Sequence, residues 1–142
     1  MKSIITLLLL ISGLTSFSQT DKVIGEYSLK LGTKENNLFE YDLTLAQDGT
    51  FTFHYHSKIK NGIPPEVDKY GKGKWELNKD IISFFCEKTI DIDDKNTLDF
   101  SNSKARFVTK SPRDTSDRII KTKLLFLESE ILWMKRIELF KM

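Results

Sequence analysis

The sequence predicts an all-β fold, a single antiparallel up-and-down barrel of about eight strands. Two observations carry this expectation. Along residues 23–142, short runs rich in β-branched and aromatic residues alternate with polar turn clusters. Within the best-defined runs the apolar residues recur with a period of two, and no stretch shows the 3.6-residue period of a convincing amphipathic helix. About eight strands is the number that closes into a small barrel.

The first segment stands apart from that fold. Lys2 gives a charged start, Ile4 to Ile11 is nearly unbroken hydrocarbon, and Ser16 and Ser18 offer small residues before Gln19. This is the pattern of a secretory signal peptide over residues 1–18. Its apolar run is too short for a bilayer span, which needs about 20 residues. The expectation is a cleaved leader, a secreted or periplasmic location, and one domain over 19–142, a length suited to a single core.

Each strand follows from its own alternation. A first strand is predicted over 23–31. Phe39, Tyr41, Leu43 and Leu45 alternate with Glu40, Asp42 and Thr44, and Phe51, Phe53 and Tyr55 alternate with Thr52, His54 and His56. A two-residue Asp48-Gly49 turn pairs Leu45 with Thr52 and sends the two apolar sets to opposite faces. A three-residue loop pairs Leu45 with Phe51, Leu43 with Phe53 and Tyr41 with Tyr55. All then share one face, and register follows the buried face. The longer loop is therefore expected, with Gly49 left-handed. Residues 57–69, with Pro64-Pro65, read as a long loop or lid.

A second hairpin is expected over 72–87, turning at Asn78-Lys79-Asp80, with Trp75 and Leu77 on one face. Either Ile82 and Phe84 or Ile81 and Phe85 face the core, and Ile82, Phe84 and Cys86 are favoured because the other set brings Ser83 and Glu87 inward. A short strand fits 97–100, another fits 104–109, and 111–116 reads as a loop. The C-terminal hairpin is predicted to align Ile120, Thr122, Leu124 and Phe126 with Ile137, Lys135, Trp133 and Ile131 across a Glu128-Ser129 turn.

Composition bounds the partners. With 22 Lys and Arg against 20 Asp and Glu, the formal charge is +2, and losing Lys2 with the leader leaves about +1. That balance predicts no strong overall field for nucleic acid or an anionic membrane. Beyond the leader no apolar segment is long enough to span a membrane. Cys86 is the single cysteine, so no intrachain disulfide and no lipid-bearing cysteine after the leader are expected. In its apolar run it reads as a small core side chain rather than a reactive thiol.

Three short motifs then resemble a known family. Gly25-Glu26-Tyr27 resembles the Gly-x-Trp that opens lipocalins, with Tyr in place of Trp. Asp48-Gly49-Thr50-Phe51 and Gly73-Lys74-Trp75 resemble turns and strands of small secreted lipocalin-like domains. The resemblance runs loosely over 23–142. It implies a barrel closed by hydrogen bonding, an open mouth that takes an apolar ligand, and no catalytic residues. On the residues alone, the inward rings Phe39, Tyr41, Phe51, Phe53, Tyr55, Trp75 and Trp133 either fill the barrel or leave a pocket. The resemblance favours the pocket.

The leading functional expectation is therefore non-enzymatic binding of a small apolar or amphipathic ligand, with no cofactor. Tyr41, Tyr55, Trp75, Trp133, Thr122 and Lys135 are the candidate ligand residues. Lys135 interrupts an apolar face beside Thr122, where it either meets a ligand carboxylate or snorkels to the rim. The alternative is a structural or protein-interaction barrel with a filled core and an unnamed protein partner. A third reading is a metal site: His54 and His56 share a strand face opposite Asp42 and Glu40, a donor set suited to zinc. Its competitor is a row of solvent-face charge pairs. Asp91-Ile92-Asp93-Asp94-Lys95-Asn96 resembles a calcium loop, but Lys95 stands where an oxygen ligand belongs and Asn96 where glycine belongs. Ser101-Asn102-Ser103-Lys104 matches Ser-x-x-Lys without its partner motifs. Lys104, Arg106, Lys110, Arg113, Arg118, Lys121 and Lys123 form the most basic stretch, read as surface charge or as a contact for an anionic glycan or lipid head group.

Overall fold

A computed structural model describes residues 20–142. The expected leader, 1–18, lies outside them. Nine strands occur among the described residues: β1 Gly25–Gly32, β2 Leu38–Leu45, β3 Thr50–Lys58, β4 Glu66–Asn78, β5 Ile81–Phe85, β6 Asn96–Leu98, β7 Lys104–Val108, β8 Lys123–Glu128 and β9 Glu138–Lys141. Eight of them close a ring in the order β1-β2-β3-β4-β5-β7-β8-β9, with β9 returning to β1. Every pairing around the ring is antiparallel. The all-β closed barrel is thus as expected. β6 stands outside the ring, parallel to β4.

The β2–β3 hairpin has the predicted register, with Leu45 opposite Phe51, Leu43 opposite Phe53 and Tyr41 opposite Tyr55. Its turn is built locally. Ala46 N–H donates to the Thr50 carbonyl (2.9 Å), the Asp48 carboxylate accepts from Thr50 N–H and Oγ1 at 3.0 and 2.6 Å, and Gly49 has φ +85°, which a β-branched residue adopts only under strain. The β4–β5 hairpin has the favoured face inward: Ile82 and Phe84 are buried, with Trp75 opposite Phe84 and Leu77 opposite Ile82.

The up-and-down path gives the barrel two ends. The β1–β2, β3–β4, β5–β7 and β8–β9 connections share one end, here termed the mouth. The other end is closed by the chain entering β1. Val23 is buried there, and the Tyr27 hydroxyl donates to its carbonyl at 2.5 Å. Burial raises the Tyr27 phenol well above its ordinary pKa, so it stays a neutral donor. At the same end the Trp75 indole N–H donates to the Ala46 carbonyl (3.0 Å).

Aromatic rings meet in the interior. Phe51 meets Phe84 at 5.1 Å and Phe100 at 5.3 Å between centroids, Phe53 meets Phe100 at 4.9 Å, and Phe84 stacks on Phe126 at 5.4 Å. Each buried phenylalanine contributes about 1.5–3 kcal/mol, and edge-to-face pairing adds about 0.5–1.5 kcal/mol. Phe100 reaches this centre from the β5–β7 connection because β4 carries glycine where it passes. A Cβ on Gly71 would lie 2.8 Å from the Phe100 ring, and one on Gly73 would lie 2.2 Å from the Phe85 carbonyl and 2.9 Å from the Phe51 ring.

Two expectations are corrected. The 57–69 loop is shorter, because β3 runs to Lys58 and β4 starts at Glu66; their pairing extends to Lys58 opposite Glu66. The C-terminal hairpin has a different register. Leu132–Met134 is a 3-10 turn rather than strand, Arg136 has φ +71°, and Leu124 faces Leu139 instead of Trp133. Alternation through 131–139 looked continuous in the sequence, but the longer connection lets Met134 become fully buried.

Gly73→Ala is expected to destabilise the fold by about 1–3 kcal/mol or more, since backbone and ring must both yield. Chemical denaturation of the two proteins measures it, and equal stability would contradict the close approach.

Candidate functional site

Two places gather side chains with chemistry to offer. The first is the mouth. Tyr41 on β2 and Tyr55 on β3 are cross-strand partners, with ring centroids 5.1 Å apart. The 3-10 turn lays Trp133 over both, at 4.8 Å from Tyr55 and 6.0 Å from Tyr41, and it reaches Phe53 at 6.2 Å. Trp133 and Tyr55 are half-buried, Tyr41 nearly fully buried. Desolvation, then Tyr55, raises the Tyr41 pKa, so its phenol stays neutral at ordinary pH. The cup offers aromatic surface and hydroxyl groups.

Of the six predicted ligand residues, the fold brings together Tyr41, Tyr55 and Trp133. The other three belong elsewhere. Trp75 is committed to Ala46 at the closed end. Thr122 is also at that end, with its hydroxyl 3.1 Å from that of Thr109 and its carbonyl accepting from Lys141 N–H. Lys135 is exposed just after the 3-10 turn and is not Thr122's neighbour. The inward lysine was a product of the wrong register.

The second place is the outer wall where β3 meets β4. His54 and His56 sit opposite Asp42 and Glu40, as predicted. Their imidazoles turn instead to Asp68 on β4, whose Oδ1 lies 2.7 Å from His54 Nε2 and 2.9 Å from His56 Nδ1. The cause is sheet geometry. Asp68 is directly opposite His56 and diagonal to His54 on the other neighbouring strand. Tyr70 then stacks on His54 at 4.5 Å, and the Lys95 ammonium lies 4.8 Å over the Tyr70 ring. An open cleft of about 300 Å³ lies beside them, bordered by Asp42, Thr44, Thr52 and Asn96. Among the described residues no group of three or more His, Cys, Asp and Glu is arranged to hold a metal ion. The hydrogen bonds from His54 and His56 hold the Asp68 carboxyl below its usual pKa.

The remaining motifs have local roles. Asp93 Oδ1 accepts from Lys95 and Asn96 backbone N–H at 2.9 and 2.6 Å, and Asp91 accepts from Glu87 N–H at 2.7 Å. These carboxylates shape turns. Cys86 Sγ donates to the Lys72 carbonyl (3.2 Å) and accepts from Phe100 N–H (3.3 Å), and burial raises its pKa, the profile of a structural thiol. Ser103 is buried, with its hydroxyl 2.9 Å from that of Ser129, which ties two mouth connections together. The basic stretch is not one bare surface. Arg106, Arg118 and Lys123 pair with Asp80, Asp114 and Glu138 at 3.6, 2.8 and 3.1 Å.

Sequence reading missed Asp68 and Tyr70 because it placed 57–69 in a loop and began the next strand at Lys72. The spacing of two from Asp68 through Tyr70 to Lys72 was the available signal. A carboxyl whose folded pKa is depressed stabilises the protein above the unfolded value, near 3.9, and loses that contribution as pH falls through the folded value. Stability measured against pH should therefore fall in acid for the wild type and be flatter there for Asp68→Asn; parallel curves would contradict the triad. No family model, no curated protein and no solved structure matches this chain.

Proposed function

We propose that this chain is an exported, non-enzymatic binding module of lipocalin-like build, in which the barrel is a filled scaffold and the mouth is the recognition face. The observation that carries the reading is the burial of Phe100 and Met134. Both come from mouth connections, both have 0% exposure, and Phe100 contacts Phe51, Phe53 and Phe84. An eight-stranded barrel leaves room for side chains or for one small ligand. Here side chains take the centre, so recognition moves outward to the mouth loops. The leader pattern at 1–18 supports export.

A second reading is favoured by Trp133. Half-buried over Tyr41 and Tyr55, it covers an aromatic cup into which the apolar part of an amphipathic molecule fits if the indole moves aside. Titration with a fluorescent fatty acid separates the two readings. In Trp75→Phe the only remaining indole is Trp133, so its emission reports on the cup.

The filled-scaffold reading predicts no saturable probe uptake and no change in Trp133 emission. Saturable uptake with altered Trp133 emission would favour the cup. Phe100→Ala should cost about 3–5 kcal/mol and make the barrel bind a small apolar probe that the wild type does not take.

A further inference from the structure

Taking the mouth as the recognition face, an assignment on which this step rests, we propose that it docks on an anionic lipid surface. The apolar tips Ile59, Ile63 and Leu132 enter the headgroup boundary, and Lys34, Lys60, Lys135 and Arg136 meet the headgroups.

The first observation is exposure. Ile63 is 100% exposed and Leu132 86%, with Ile59 also exposed. Ile59 and Ile63 lie between β3 and β4, and Leu132 between β8 and β9, so all are at the mouth. Trp133 joins the two regions, since it follows Leu132 and packs on Tyr55 of β3. These side chains stand on two loops, Ile59 and Ile63 on one and Leu132 on the other. Isolated tips suit a deformable interface, in which each inserts independently, better than a rigid protein partner.

The second observation is charge. Lys60 follows Ile59, and Lys135-Arg136 follows the turn that bears Leu132. Lys34, Lys60, Lys135 and Arg136 are all exposed and take part in none of the ion pairs among the described residues. Beside these loops Glu66 pairs with Lys58 at 3.9 Å and Glu40 with Lys30 at 3.7 Å, while Glu130 accepts from the neutral amide of Asn102 at 3.0 Å and keeps its charge. In the β1–β2, β3–β4 and β8–β9 loops, Glu35 and Glu130 are the carboxylates without an ion pair, against these four cations. The β5–β7 connection adds Glu87, Asp91, Asp93, Asp94 and Asp99 with Lys88 and Lys95, and the proposed contact is confined to the three other loops. The near-neutral total charge does not oppose this, because at physiological salt a charge acts over only about 8 Å, so the approaching face decides. Long basic side chains beside apolar tips can reach headgroups while their stems stay in the apolar layer.

The test is flotation of the chain from Gln19, which carries the whole closed barrel without the apolar leader stretch. Vesicles of phosphatidylcholine alone are compared with vesicles containing phosphatidylglycerol. Binding is expected to the anionic vesicles only, weakened by salt. Ile63→Ser with Leu132→Ser should abolish it, and each of Lys60→Glu and Lys135→Glu should weaken it by about fivefold or more. Ile119→Ser, on an exposed apolar side chain in the 109–122 connection at the closed end, should change nothing. Equal binding to both vesicles, binding to neither, or loss in Ile119→Ser with retention in the mouth variants would each overturn the proposal. Failure on vesicles with the interior still closed to the fatty-acid probe leaves the filled-scaffold reading standing, whereas uptake of that probe removes the reading itself.

Discussion

Phe100 packing across the two glycines of β4 is the contact on which the rest of this barrel depends. The ring is fully buried against Phe51, Phe53 and Phe84. It fits because Gly71 presents no side chain there, and Gly73 lets the Phe51 ring and the Phe85 carbonyl come close. The backbone follows the same logic. Phe100 N–H is held by Cys86 Sγ, and the Ser103 carbonyl accepts from Phe84 N–H on β5. The β5–β7 connection is thus both an inserted part of the core and an extension of the wall through β6. Without the glycines, either the ring leaves or the strand moves.

That constraint passes to the mouth. With the centre occupied, the β8–β9 connection sends in Met134 and lays Trp133 over Tyr41 and Tyr55. The Ser103–Ser129 contact couples the two connections. In such a barrel the apolar rings at the centre contribute to stability, and the polar and charged side chains lie on the loops and outer wall. The histidine pair belongs to that outer wall, where Asp68, Tyr70 and Lys95 give it hydrogen-bonding and stacking partners.

Period-two alternation with a register-sensitive turn made β2, β3, β5 and the second half of β4 legible, including the left-handed Gly49. In these strands one apolar face meets one core, so a one-residue slip would expose every large side chain. The C-terminal region failed for the complementary reason. Ile131, Trp133 and Ile137 alternate as a strand does, yet a 3-10 turn and the left-handed Arg136 use them to cover the barrel end, and apolar spacing over so few residues does not separate these outcomes. That error moved Lys135 and Thr122 into an imagined site. The cup at Tyr41 and Tyr55 was readable from the hairpin alone. Asp68 was not, because its partners depend on which strand lies on the other edge of β3, and that is a fact of tertiary pairing. Gly71 and Gly73 were visible throughout, and spaced glycines within a strand are the local mark of a close approach by something bulky.

The central claim is that Phe100 is a permanent part of the core and not the tip of a lid. Amide hydrogen exchange resolved by residue tests this directly. The N–H groups of Phe100, Ser103 and Phe84, which bond to Cys86, Phe100 and Ser103 respectively, should exchange only with global unfolding. They should share the protection of Leu43 and Phe53 in the β2–β3 hairpin. Fast exchange of Phe100 and Ser103 through a low-energy opening, with the ring strands still protected, would contradict the account and reopen the barrel interior as a binding site.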